Sequence, residues 1–130
     1  MILVDTQVVL WLAFEQSRLS KKAREAIDNA RRDAGGLAIS DITLLEIATF
    51  VRRGRIRLNT TLEAFLQEVQ ARFTVLPISA RGCARTTGLP AAYPKDPADR
   101  IIGATALVEG LPLLTADRAI RRAKALRTIW

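Results

Sequence analysis

The 130-residue sequence contains no histidine and one cysteine, Cys83. The missing histidine excludes Ser-His-Asp and Cys-His triads, histidine acid–base pairs and histidine-ligated metals. A lone cysteine excludes an internal disulfide and a thiolate zinc site, and Cys83 itself reads as a small core residue. No apolar run approaches the roughly 20 residues needed to span a bilayer. The opening Met1-Ile2-Leu3-Val4-Asp5 lacks the basic start of a secretion signal, so the expectation is a mature cytoplasmic protein. Catalysis is left to carboxylates, hydroxyls, lysines, or a hard cation held by oxygen ligands.

What is present is an ordinary globular balance, 49% hydrophobic and 25% charged, on a length that suits one domain spanning residues 1–130. Twenty Lys and Arg oppose 13 Asp and Glu, for a formal net charge of +7. Such an excess favours a polyanionic partner, nucleic acid first or an acidic protein segment, although it also serves solubility.

Short apolar runs alternate with helical patterns along the whole chain. Ile2-Leu3-Val4, Leu37-Ala38-Ile39, Phe73 to Ile78 and Leu113-Leu114-Thr115 read as strands, and Ile129-Trp130 as a final edge strand. Pro77 places the third of these at its own end or at a sheet edge. Between them, helices are expected over Val8–Phe14, Lys21–Arg32, Ser40 to about Arg53, and from Thr60 or Thr61 through Val69. Shorter ones run from Ser79 to near Gly88, from Pro97 to Gly110, and onward from Asp117. Leu89 to Lys95, with two prolines, reads as a loop. This alternation is the pattern of an α/β fold with a parallel sheet covered by helices on both faces.

Ligands of such folds bind at the carboxyl ends of the strands, so acids placed there are the candidates. Asp5 follows the first strand, Asp117 follows the Leu113–Thr115 strand, and Asp96 and Asp99 begin the Pro97 helix. Glu46 is the lone charge in Ile42–Val51 and lies within the helix after the second strand. Capping is the competing account of Asp5, Asp117 and the Asp96-Pro97-Ala98-Asp99 run. For Glu46 it is a narrow solvated stripe with Thr43, Thr49 and Arg53. As a group, clustered carboxylates raise one another's pKa unless a cation compensates. Oxygen donors without His or Cys point to Mg²⁺ or Mn²⁺, and such ions activate water for phosphodiester cleavage. Arg53 and Arg55, in the basic turn Arg52–Arg57, and Arg100 are candidate contacts to nucleic-acid phosphates.

The segments Ile2-Leu3-Val4-Asp5-Thr6, Ser40 through Glu46, Asp96-Pro97-Ala98-Asp99-Arg100 with Ile101–Ala106, and Leu113-Leu114-Thr115-Ala116-Asp117 together carry a family likeness. In their order and spacing the chain resembles the PIN-domain ribonucleases, specifically the VapC-like toxins of toxin–antitoxin pairs. The resemblance implies a PIN-like three-layer α/β/α sandwich with a short, mainly parallel central sheet. It also implies a Mg²⁺- or Mn²⁺-dependent endoribonuclease, a homodimer, RNA as substrate and a cognate antitoxin as inhibitor. By motif, Asp5, Glu46, Asp99 and Asp117 are the catalytic and metal-binding quartet. Thr6, Ser40 and Thr115 are their polar companions, and Asp96 is secondary to Asp99. Many relatives carry a histidine shortly before the Asp-Pro-x-Asp-Arg motif, where this chain has Tyr93-Pro94-Lys95. A non-catalytic PIN-like nucleic-acid-binding domain is the alternative. A response-regulator receiver is excluded because Asp5-Thr6 is not an acidic pair and Ser79-Ala80 follows the middle strand. A haloacid-dehalogenase-type phosphatase is excluded because Gln7 stands where its second Asp is required.

Overall fold

Ile2-Leu3-Val4, apolar at every position, forms the central strand β1 (Ile2–Val4) of a parallel sheet and is buried throughout. The computed structural model describes residues 1–33 and 35–130. Its other strands are β2 (Leu37–Ser40), β3 (Thr74–Leu76), β4 (Leu113–Leu114) and β5 (Thr128–Ile129), in the order β3-β2-β1-β4-β5 with every neighbouring pair parallel. The helices are α1 (Thr6–Phe14), α2 (Lys21–Arg32), α3 (Ile42–Arg52), α4 (Leu62–Arg72), α5 (Ala80–Thr86), α6 (Pro97–Glu109) and α7 (Arg118–Ala123). None is long and apolar enough to cross a membrane among the described residues.

The two faces of the sheet are set by the period-two alternation of strand side chains. Ile2, Val4, Leu37, Ile39 and Leu114 pack with Val8, Val9, Ile27, Ile47 and Phe65 from α1 to α4. Leu3, Ala38 and Leu113 point the other way, onto Ile102 and Ala106 of α6, Ile120 of α7, and Leu89 and Tyr93 of the loop before α6. Each fully buried Leu, Ile or Val on either face is worth about 1.5–3 kcal/mol. The result is the expected three-layer α/β/α sandwich.

Local chemistry sets the helix starts. Ser20, Thr61 and Ser79 each accept the backbone N–H three residues on, at 3.0, 3.1 and 2.9 Å. Asp96 caps α6 with Pro97 in its first turn, and Gly110, at φ 65°, closes that helix in the left-handed region that glycine occupies without strain.

Some boundaries move. Phe73 donates its N–H to the Val69 carbonyl and so completes α4 rather than starting β3. Pro77 follows β3, which lies at the sheet edge. Ser40 ends β2 instead of opening α3, and its Oγ accepts the Ile42 N–H at 3.3 Å. Thr115 lies beyond β4, although its N–H still bonds the Ile129 carbonyl at 3.2 Å. Cys83 is exposed rather than a core residue. The Ser79 cap sets the register of α5 so that Gly82 faces inward and its neighbour outward.

Candidate active site

The strand order reverses direction between β1 and β4, and the crevice beyond the carboxyl ends of such a pair is where this architecture binds ligands. Asp5 follows β1 directly, and Thr115 to Asp117 follow β4. The Thr115 hydroxyl joins them: it donates to Asp5 Oδ2 at 2.7 Å and accepts the Asp117 N–H at 3.1 Å. Asp5 is 8% exposed, and its Oδ1 accepts the Thr6 N–H at 2.9 Å.

Glu46 reaches the same edge through hydroxyls. Thr6 Oγ1 donates to Glu46 Oε1 at 2.6 Å and lies 2.9 Å from Thr43 Oγ1. A hydroxyl has one proton, so Thr6 spends it on Glu46 and receives that of Thr43. The chain Thr43 to Thr6 to Glu46 ties α3 to α1 and orients one carboxylate. Thr43 was legible only as part of a polar stripe; its signal is the three-residue spacing to Glu46, which stacks both on one helix face.

Asp96 and Asp99 separate in role. Asp96 Oδ2 accepts the Asp99 N–H at 3.1 Å and is a helix cap. The Asp99 carboxylate caps nothing and makes no hydrogen bond among the described residues. Asp117 is both a site acid and a cap, with Oδ1 accepting the Ile120 N–H at 3.0 Å.

The electrostatics follow from burial and like charge. Burial pushes the Asp5 carboxyl up, its bonds to Thr115 and Thr6 partly offset this, and Asp117 adds repulsion. Burial also raises Glu46, against the Thr6 bond and together with the charges of Asp5 and Asp96. Burial and then repulsion from Asp5, Asp96, Glu46 and Asp117, with no side-chain hydrogen bond among the described residues to offset them, push Asp99 up to about 7. Five acids therefore sense one another at one edge of the sheet. None of them forms an ion pair among the described residues, in a protein with 20 Lys and Arg.

This donor set suits a hard divalent cation, which would relieve the repulsion. Among the described residues no three acidic side chains close into a cage of their own. The fit is therefore to an ion that keeps several waters and takes one or two carboxylates, the habit of Mg²⁺.

Of the basic candidates, Arg100 is half-buried and engaged by the fold. Its Nη1 and Nη2 donate to the carbonyls of Thr86 and Tyr93 at 3.2 and 3.4 Å. Arg53 and Arg55 are exposed just past the end of α3, about 10 Å of helix rise beyond Glu46, and Arg55 stacks 4.8 Å over the Phe50 ring. Arg118, Arg121 and Arg122, which sequence reasoning passed over, are exposed on the helix that begins at Asp117 and form no ion pair among the described residues.

Comparison with known proteins bears on the family and the fold. The family model described as PIN domain matches residues 2–126. The chain is 34% identical to Ribonuclease VapC22 of Mycobacterium tuberculosis over 131 residues, covering 99% of this chain and 98% of that protein. Among solved structures it is similar to VapBC2 from Rickettsia felis bound to a promoter DNA fragment, with a TM-score of 0.74, 17% identity, and 98% and 97% of the two chains covered. It is also similar to DNA-bound VapBC from Salmonella typhimurium, with a TM-score of 0.71, 20% identity and the same coverage.

Proposed function

The chain belongs to the PIN-domain family, and on that premise we propose that it is a Mg²⁺- or Mn²⁺-dependent endoribonuclease, the toxin of a toxin–antitoxin pair. It acts as a homodimer on cytoplasmic RNA and is inhibited by a cognate antitoxin. The observation that carries this reading is the uncompensated carboxylate group Asp5, Glu46, Asp99 and Asp117 at the β1–β4 switch point of a basic protein. The 34% identity to a ribonuclease across the whole chain supports the reaction class, and the VapBC neighbours support the antitoxin.

Bound among these acids, a divalent cation supplies a water of lowered pKa and counter-charge for the scissile phosphate. The chain's own residues prepare the site. Thr115 holds the Asp5 carboxylate beside Asp117, and Thr6 orients Glu46. Asp99, whose side chain caps nothing and makes no hydrogen bond among the described residues, has its lone pairs available. Cations outside the acid cluster hold the phosphates, and Arg118, Arg121 and Arg122 are the nearest exposed set along the chain from Asp117.

The test is incubation of purified protein with end-labelled single-stranded RNA. Cleavage is expected with Mg²⁺ or Mn²⁺, none with EDTA, and none when antitoxin saturates the protein. RNA binding that ignores chelator, with no cleavage in metal, would make the chain a non-catalytic binder. A second expectation concerns phosphate contacts. Each one lost should flatten the plot of log binding constant against log salt by about 0.7 for single strands. Replacing Arg118, Arg121 and Arg122 by Gln should thus reduce the slope by about 2, while Lys21→Gln with Lys22→Gln on α2 leaves it unchanged.

A further inference from the structure

Tyr93 is the one tyrosine of the chain and sits in the loop before α6, between exposed Ala92 and half-buried Pro94. It is 1% exposed and packs with Leu3, Ile102 and Leu113. The phenol donates to the backbone carbonyl of Asp99 at 3.0 Å. The ring lies on Gly103: a Cβ there would clash with the phenol oxygen and lie 2.7 Å from Cζ, so no larger residue fits beneath it. Glycine inside a helix costs about 0.5–1 kcal/mol relative to alanine, and here it makes room for the ring. Arg100 also ties this loop to the end of α5, through the carbonyls of Tyr93 and Thr86.

A phenylalanine would fill the apolar space as well, so core packing does not account for the hydroxyl or its target. That target is the backbone of Asp99, the site acid whose side chain makes no hydrogen bond among the described residues. Like charges push Asp99 away from Asp5, Glu46 and Asp117, and Asp99 stands at a helix end, where fraying starts. We propose that Tyr93 is a positioning residue: its hydroxyl on the Asp99 carbonyl and its ring on Gly103 hold the first turn of α6 so that the Asp99 carboxylate stays among the other acids. The inference rests on the function proposed above and adds a part to its site.

Tyr93→Phe removes the hydroxyl and keeps the ring. Two readouts are needed, amide hydrogen exchange of residues 100–103 without metal and a Mn²⁺ binding isotherm. The expected result is exchange at least about tenfold faster in that turn with β1 unchanged, together with about tenfold weaker Mn²⁺ binding, the size of effect seen when the support of a metal ligand is lost. Wild-type behaviour in either readout overturns the proposal. Normal metal binding leaves Tyr93 a packing residue, and normal exchange means it does not act through the helix turn. The seating of the ring is tested by a cycle. Gly103→Ala should destabilise the wild type strongly and cost much less in a Tyr93→Ala background, whereas additive losses would mean the two residues are not coupled. A wild type that binds Mn²⁺ but cuts no RNA refutes the ribonuclease reading alone. One that binds no Mn²⁺ refutes both.

Discussion

Asp99→Asn should lose RNA cleavage by well over a hundredfold in saturating Mg²⁺ or Mn²⁺ while keeping its far-UV spectrum and its affinity for RNA in EDTA. The reason is local. Asp99 makes no side-chain hydrogen bond among the described residues, so the amide forfeits no cap and little packing. It does forfeit the charge that a cation would meet. Losing a residue that merely supports a metal ligand already costs about 10–100-fold, and a direct ligand should cost more. Asp96→Asn is the control. Its carboxylate accepts the Asp99 N–H at the start of α6, and asparagine caps a helix about as well. Its rate should stay within a few-fold of wild type. A dead Asp96→Asn beside an active Asp99→Asn would reverse the assignment.

The same substitution should invert the order of stability with metal and with pH. Asp99 is held at about 7 in the folded chain against an ordinary 3.8. Between these values the folded state keeps a proton that the unfolded state releases, so ionising Asp99 opposes folding. The cost is fully present above pH 7 and fades as pH falls through 7 toward 4. Burial raises Asp5 and Glu46 in the same direction. In EDTA at pH 8, Asp99→Asn should therefore melt at or above wild type, and the gap should narrow by about pH 5 and close near pH 4. Metal at about 100 times its dissociation constant adds roughly 2.7 kcal/mol to the form that binds it. For a chain of this length that is on the order of 10 °C, which should place wild type above the variant. Thermal melts of both proteins with EDTA and with Mn²⁺, at two pH values, decide it. A variant much less stable in EDTA, with no metal effect on wild type, would make Asp99 a structural residue.

The helix starts at Asp5, Ser20, Ser79, Asp96 and Asp117 were legible, and that at Thr61 to within one residue, because a cap is a local device: one side-chain oxygen meets an N–H within three residues. The two-sided sheet was legible as well, because all-apolar runs such as Ile2-Leu3-Val4 have no polar face to turn to water. The acids were legible as strand-end residues, and the family likeness added which of them to group. What the sequence left open was division of labour. Asp96 and Asp99 are the same residue type, three positions apart. Only the folded helix shows that one bonds the N–H of the other and that the second is left to repel its neighbours. Thr43 and Tyr93 became functional candidates only in three dimensions, since each acts on a residue through a contact that spacing alone does not demand. Arg100, a candidate for phosphate by its place beside Asp99, is turned inward to two carbonyls. Local hydrogen bonds and hydrophobic period are written in neighbouring residues, so the sequence determined the elements. Which polar atom is left without a partner depends on every chain segment packed around it, and that only the tertiary structure decided.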